Sequence, residues 1–582
     1  MRSTMAVLAA SALTSATMAT AAVIGPAVAV SPEGRAAGGG TEPVTHEQND
    51  RVPQGARWTQ HYFPSSDDSG TELHADVLLP EDLADGEQVP VILSVGPYFS
   101  HAGQTFPEGF EQTGPSARFA DLIEGADLFE RGYAFVMVDS RGFGGSSGCL
   151  QFAGPGDQAD VRAAVDWAAA QPWSTGAVGM YGKSADAITG LIGNNEDQDA
   201  LKAVVAQEPI WDLYRNVHSY GVPRTTAVQI PGSYGAIAQI PPLPDDDPRY
   251  QANAAYEAEH PECTTREASG YLIGDPESEF WRARDIAALA EGSDTPLLFT
   301  QGFLEWNTEA EGMEEFLAHH EGPQRAWLGQ WDHVRGNDRL EDGTLAMGRE
   351  GWFEETMSFY DEHLRGITPS VQYPVYAIQD STGSWRAQDT WPVVGRSAVV
   401  RLGGGRYVDD GYAASEANRY VTRSEPLERP TRITGTPRVA LRAEGRGNVM
   451  VRLFDVDPDG TAVMFDEQVG VLRSGQTRLD LKSTDWTLAA GHTLAVEIGT
   501  VQPETQDLDP LGFGPGSDWI DSPSGEQVRV TSARLDLALD NPADDVPTDG
   551  ARAPYLDVYL GVRTTTDLPS GPPAFRVPTV IR

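Results

Sequence analysis

Cationic side chains are scarce in this chain: 42 Lys and Arg stand against 85 Asp and Glu in 582 residues, a formal net charge of −43. Only three of the cations are lysines, Lys183, Lys202 and Lys482. Sequence-independent nucleic-acid binding rests on basic side chains that neutralise phosphates, so no nucleic-acid partner is expected. The carboxylate excess instead suits a surface kept soluble by its own charge. Cysteine is almost absent as well, with Cys149 and Cys263 alone. There is no CxxC and no Cys/His cluster, so no metal site is expected. Beyond the first 24 residues no stretch approaches the roughly 18 consecutive apolar residues of a membrane span. What is present in quantity is core material: 40% apolar and 9% aromatic residues, which argues against wholesale disorder.

The amino terminus reads as a secretory signal peptide over residues 1–29. Arg2 is followed by an Ala/Val/Leu/Met-rich run over 5–24 and by Ala27-Val28-Ala29, the small-x-small pattern of a cleavage site. The protein is therefore expected to be secreted and extracellular, with no membrane attachment after cleavage. An oxidising compartment favours a Cys149–Cys263 disulfide, which would close a loop worth about 4–5 kcal/mol in the chain-entropy model. Residues 30–52, rich in Gly, Pro and polar side chains, read as a flexible leader.

From residue 53 to 209 short apolar runs (PVILSV, AFVMV, GAVGMY) alternate with helical patterns, clearest over 157–171 (DQADVRAAVDWAAAQ). Strands alternating with helices of that length build a mostly parallel sheet covered on both faces. The alternation stops after Pro209, and residues 210–287 read as an inserted cap. It resumes over 288–366 with TPLLFTQ and RAWLGQ. From 367 to 582 short alternating runs separated by Gly, Pro and Asp predict an all-β sandwich or jelly roll.

The segment VGMYGKSADAITG over 178–190 ends an apolar strand at Gly182-Lys183-Ser184 and begins a helix at once. A serine nucleophile needs such an elbow: the strained turn lifts the hydroxyl clear of the sheet, and the helix amino end offers backbone N–H donors. The pattern is G-x-S only, because Asp186 replaces the last glycine of the familiar pentapeptide. A hydroxyl attacks acyl carbon usefully when a base takes its proton and an acid orients the base. In α/β-hydrolases these follow in the order Ser, Asp/Glu, His from loops at one sheet edge. Here TPLLFTQ runs into Glu305, and RAWLGQ runs into His333.

At this point the sequence resembles the X-prolyl dipeptidyl-peptidase and cocaine-esterase (CocE/NonD) family of serine hydrolases. The resemblance rests on Gly96-Pro97-Tyr98, DSRGFGGSSG over 139–148, QPWS over 171–174, the Gly182–Ser184 elbow, FWRARD over 280–285, the 302–308 loop and Trp331-Asp332-His333. It implies an α/β-hydrolase core with an inserted helical cap and a carboxyl-terminal jelly roll of the galactose-binding-like kind. It also implies a catalytic triad of Ser184, Glu305 and His333, an oxyanion hole of the Tyr98 hydroxyl and the Ala185 N–H, and no cofactor. The family usually places an aromatic residue where this chain has Ala185 and a glycine where it has Ala187. In the peptidase branch carboxylates hold the substrate's free amine, and Glu208 and Asp212 are the candidates here. The elbow and the 302–308 loop resemble the peptidase-like branch, so the expected substrates are peptides with a free amino terminus, cleaved after Xaa-Pro. The alternative enzyme is a carboxylesterase or amide acylase, and the alternative of another class is a non-catalytic glycan-binding protein.

Three other motifs carry no chemistry. GFGGSS over 142–147 begins like a dinucleotide fingerprint but lacks its sixth glycine and a distal ribose acid, and it reads as a structural turn. Asp455, Asp457 and Asp459 imitate a calcium loop, yet strand-like flanks make them a hairpin turn. His319-His320 lacks metal-ligand spacing and reads as surface.

Overall fold

The structure, a computed structural model, describes residues 43–580 apart from 47, 412–417, 474, 503–518 and 521. The expected signal peptide lies outside the described residues. Within the expected leader, β1 (Val44–Thr45) is a short strand paired with β2 (Ala56–Pro64), and His46 stacks on Trp58 at 4.5 Å. This part of the leader is tied down because a ring and two ladder positions are available to it.

A twelve-stranded sheet forms the frame. Its strands also include β3 (Glu72–Pro80), β4 (Val89–Gly96), β5 (Ala134–Asp139), β6 (Ser174–Lys183) and β7 (Leu201–Gln207). After a two-stranded ribbon, β8 (His218–Ser219) and β9 (Val222–Pro223), it continues with β10 (Leu297–Gly302), β11 (Gln324–Gly329), β12 (Tyr376–Gln379) and β13 (Trp385–Gln388). From β5 through β4, β6, β7, β10 and β11 to β12 every neighbour is parallel, while β1, β2 and β3 on one side and β13 on the other are antiparallel. Strands β4, β5 and β10 are buried along their whole length, as strands covered on both faces must be. Helices α2 (Pro155–Ala169) and α3 (Ala185–Asn195) cover one face, where Val161, Leu191, Val204 and Phe299 share a core. Helix α1 (Ala120–Gly125) covers the other with a helix (Trp352–Arg365) whose Met357 and Tyr360 meet Ile92, Tyr181 and Trp327.

The break after Pro209 is a cap of eight short helices, α4 (Leu213–Val217), α5 (Thr225–Val228), α6 (Ile230–Ala238), α7 (Pro248–Ala254), α8 (Tyr256–Glu259), α9 (Glu262–Tyr271), α10 (Glu279–Arg282) and α11 (Ile286–Leu289). The main chain then adds α12 (Met313–His319), and Trp352–Arg365 is α13. Cys149 and Cys263 are bonded, joining the loop before α2 to the cap helix α9, with Cα atoms 5.0 Å apart. His320 is not a surface residue: it is buried, and its Nε2 lies 2.9 Å from the Thr295 carbonyl. The 142–147 turn closes with the Gly142 N–H donating to the Ser147 carbonyl and Gly145 N–H to Asp139. A Cβ on Gly144 would sit 2.3 Å from the Asp139 carboxylate, so glycine is needed at that φ of +50°.

The carboxyl-terminal sandwich has two five-stranded sheets. One contains β14 (Arg396–Val408), β16 (Thr431–Glu444), β19 (Thr477–Asp480), β20 (Thr484–Leu488) and β22 (Gln527–Asp540). The other contains β15 (Arg419–Arg423), β17 (Asn448–Val456), β18 (Ala462–Val471), β21 (Thr493–Gly499) and β24 (Thr564–Thr565). Between β17 and β18 the chain turns at Asp457, whose carboxylate accepts the Asp459 and Thr461 N–H groups, as the hairpin reading requires. Past the expected boundary at 367 the chain still adds strands to the first sheet. Strands β12 and β13, with β23 (Val546–Pro547), extend the first sheet rather than the sandwich. Tyr376 and Ile378 pack in the same core as Leu328, and no helix separates these short strands to advertise them.

Candidate active site

Four strand ends converge. Ser184 lies between β6 and α3, Glu305 follows β10, His333 follows β11 and Tyr98 follows β4. Ser184 has φ 66° and ψ −123°, a conformation that non-glycine residues rarely adopt. The elbow is tight because Gly182 faces α3: a Cβ there would approach the Asp186 carbonyl to 2.1 Å. Asp186 itself is held where the usual glycine would be. Its carboxylate accepts from Arg118 at 2.7 Å, and Gly96 leaves it room, since a Cβ on Gly96 would lie 1.9 Å from it.

His333 Nδ1 lies 3.1 Å from Glu305 Oε1, with the Glu305 side chain fully buried. The same oxygen accepts the N–H groups of Asn307 at 2.8 Å and Thr308 at 2.7 Å, and the Thr308 hydroxyl donates to Oε2. Burial alone would raise the Glu305 pKa; His333 and the Thr308 donors outweigh it and hold the group below the usual glutamate range. Burial, and then the Lys183 ammonium, push His333 below its ordinary value against the pull of Glu305. Lys183 donates to the His333 carbonyl at 3.2 Å. Burial first, then the Arg118 and Arg335 charges, lower it to about 8.

The hydroxyls of Tyr98 and Tyr234 share a hydrogen bond, and the Arg118 guanidinium lies 4.3 Å from the Tyr98 ring centre. Ser184, Ala185, Tyr98 and His333 line one cavity of about 340 Å³. Its remaining wall is largely apolar, with Phe152, Ile188, Ile210, Ile230 and Ile237, and includes Arg118 and Lys183. No carboxylate is among the described residues lining it. A separate chamber of about 20 Å³, water-sized, shares the Phe152, Ala185 and Ile188 walls. Asp157 is among its lining residues; one of its oxygens accepts from the Ala153 N–H and the other has no hydrogen-bond partner, and burial raises that carboxyl to about 8.

Neither expected amine-holding acid reaches the cavity. Glu208 is fully buried beside Glu305; it accepts from Thr300 at 3.0 Å, Gly302 N–H at 2.9 Å and Trp331 at 3.0 Å, so it braces the β10 loop. Burial and then the Glu305 charge raise it to about 8. Asp212 caps α4 through the Arg215 N–H and pairs with its guanidinium, facing another cleft. Arg118, Tyr234 and Thr308 escaped the sequence reading. Tyr234 is 136 residues from Tyr98, and no local pattern marks it. A His/Asp group of ligand-like spacing, His74, Asp76 and His101, lies away from this site. His101 is pushed up to about 10, burial opposing and the Asp76 and Asp246 charges prevailing, and its two ring nitrogens lie 2.7 Å from Asp246 and 3.1 Å from Asp76.

Residues 69–335 match the family described as X-Pro dipeptidyl-peptidase (S15 family), and 368–510 match the X-Pro dipeptidyl-peptidase C-terminal non-catalytic domain. The chain belongs to the S15 family. Its S15 relatives include a Streptomyces avermitilis protein named "Putative Xaa-Pro dipeptidyl-peptidase", 24% identical over 59% of this chain and 51% of that protein. The chain thus spans about half the length of that relative. The cocaine esterase of a Rhodococcus species is 26% identical over 56% of this chain and 58% of its own. A solved CocE/NonD family hydrolase from Staphylococcus aureus shares the fold with a TM-score of 0.60 at 14% identity, covering 83% of this chain and 94% of that one. This S15 chain is a serine hydrolase with an α/β-hydrolase core and a carboxyl-terminal β sandwich. Among the described residues no helix is long and apolar enough to cross a membrane.

Proposed function

We propose that Ser184 attacks the acyl carbon of a small ester or amide whose acyl group is apolar and uncharged. The observation that carries this reading is the cavity wall: isoleucines and aromatic rings beside Ser184, two cations and no described carboxylate. His333 takes the Ser184 proton and returns it to the leaving group, and Glu305 orients His333 and stabilises its charged form. The Ala185 N–H, at the amino end of α3, and the Tyr98 hydroxyl, turned from Tyr234, receive the developing oxyanion. Water then releases the acyl group from Ser184. The carboxylesterase or acylase reading thereby moves ahead of the dipeptidyl-peptidase reading, because a substrate ammonium would meet Lys183 and Arg118 in the main cavity.

The Xaa-Pro dipeptidyl-peptidase reading stays as the second one, favoured by both family matches and by the unpartnered Asp157 oxygen in the adjoining chamber. Secretion through a cleaved signal peptide belongs to either reading. Hydrolysis of p-nitrophenyl butyrate beside Gly-Pro-p-nitroanilide, by wild type and Ser184→Ala, separates them. Ser184-dependent turnover that favours the ester supports the first reading. Dominant cleavage of the prolyl anilide, with its N-acetylated analogue refused, replaces it with the second.

A further inference from the structure

The outer face of the sandwich sheet containing β14, β22, β16 and β19 runs against the charge of the whole chain. Register places Arg401 of β14 opposite Arg534 of β22, Arg534 opposite Ala440 of β16, and Ala440 opposite Arg478 of β19. One row across four strands therefore reads Arg, Arg, Ala, Arg. At ~4.8 Å between strands it spans about 14 Å. All three arginines are exposed, because their neighbours Val400, Leu535 and Leu479 point into the core. Arg442, two residues beyond Ala440, is exposed on the same face.

Like charges directly opposite one another on a sheet are destabilising, and the chain offers two acids for every base with which to avoid it. Relief is sparse. Arg534 has Asp536 at 3.4 Å; among the described residues Arg401, Arg442 and Arg478 have no ion pair. The acids of the adjoining row, Asp536 and Asp480, are partly engaged by Arg534 and by Arg438, which lies 3.7 Å from Asp480. A shallow groove of about 410 Å³ follows the row, with Gly403, Gly404, Thr531 and Ser532 beside the guanidinia. Through Gln476 it adjoins a larger cleft of about 670 Å³ between cap and sandwich, of mixed charge, where Arg478, Arg473 and Arg282 are exposed and Asp212, Glu277 and Asp285 also line the wall.

We propose that this arginine track binds an acidic polysaccharide through its carboxylate groups. Guanidinium forks match planar carboxylates with two parallel hydrogen bonds, which lysine does not do, and every cation of the track is arginine. Backbone at Gly403 and Gly404 and the Thr531, Ser532 and Gln476 side chains supply partners for sugar hydroxyls. Among the described residues lining the groove on the sheet there is no aromatic platform for stacked bases. One carboxylate per sugar is also a sparser charge than the one per ~1.7 Å of duplex DNA, which suits a protein of net charge −43. The site is independent of the catalytic reading, because no residue of the track lines the Ser184 cavity.

Retention of the full-length protein on immobilised polygalacturonate tests the proposal, with neutral dextran, dextran sulfate and a single-stranded oligonucleotide as parallel arms. Retention at low salt by polygalacturonate and not by dextran is expected, with at least a tenfold loss of affinity in an Arg401→Gln/Arg534→Gln/Arg478→Gln variant. The Ser184→Ala protein is retained like wild type. No retention, or equal retention of the triple variant, overturns the site. Binding to dextran sulfate alone, or tighter binding to the oligonucleotide, overturns the ligand. Melting curves check the fold, and if the triple variant melts early the single variants Arg401→Gln and Arg478→Gln carry the same test.

Discussion

In the sandwich, Arg432 is fully buried and meets Asp545 at 2.6 Å, Asp540 at 2.8 Å and Asp380 and Asp485 at 3.3 Å. Arg386 of β13 closes the same group through Asp485 at 2.6 Å. At the edge of the parallel sheet, by contrast, the Lys183 ammonium is largely desolvated with the His333 carbonyl as its hydrogen-bond partner and no described carboxylate within ion-pair distance. Asp157 there keeps an unpartnered oxygen. The closed network joins two layers: Asp380 follows β12 of the first sheet, and Arg432 belongs to β16 of the second. Buried charge met by several opposite charges serves architecture, whereas buried groups without such partners beside a cavity are candidates for function.

Breaking this contrast at its catalytic end has the largest expected effect. Ser184→Ala removes the proposed nucleophile and is expected to lower kcat by about 10⁴-fold or more with the melting temperature little changed, read by ester hydrolysis and a thermal scan. At the architectural end, Arg432→Met takes the shared cation from four carboxylates, of which Asp485 keeps Arg386, and is expected to cost about 3–5 kcal/mol of stability in urea unfolding, while the folded fraction keeps its kcat. An unchanged urea midpoint would show that the network is not structural. Tyr98→Phe removes one proposed oxyanion donor, with an expected loss of about 10²–10³-fold in kcat and little change in KM.

The smallest effect is a shift. As the proposed base, His333 must be neutral to accept the Ser184 proton, so activity is expected to fall as pH drops through its pKa. The Lys183 charge holds that pKa down, and Lys183→Met is expected to move the acid limb of the kcat/KM profile to higher pH. Because Lys183 itself loses its proton at about 8, the limb difference belongs to the acid side and fades above that pH. An acid limb that stays in place would make Lys183 a packing residue only.

Much of this was legible because it is local. The elbow at Gly182–Ser184 shows itself as a strand pattern breaking directly into a helix pattern. Glu305 and His333 are marked by the apolar runs before them, and the 209/210 break by a lost period. Glu208 misled because a carboxylate just past a strand looks solvated in sequence; only the packing of Thr300, Trp331 and the β10 loop shows it sealed beneath Glu305. The pairing of the strands just past 367 was hidden for a related reason: β12 and β13 are too short to declare which sheet they join until β11 pairs with them.

By itself the sequence determined the order of the modules, the identity and chain order of the three triad candidates, and the pairing available to two cysteines, since each depends on residue type and on neighbours a few positions away. Tertiary structure alone decided that Arg118 neutralises Asp186, that Tyr234 holds the Tyr98 hydroxyl, that the main cavity has no described carboxylate, and that Arg401, Arg534 and Arg478 form one row. Those contacts join residues tens to hundreds of positions apart. Strand register and burial, which create them, exist only once the sheets are assembled.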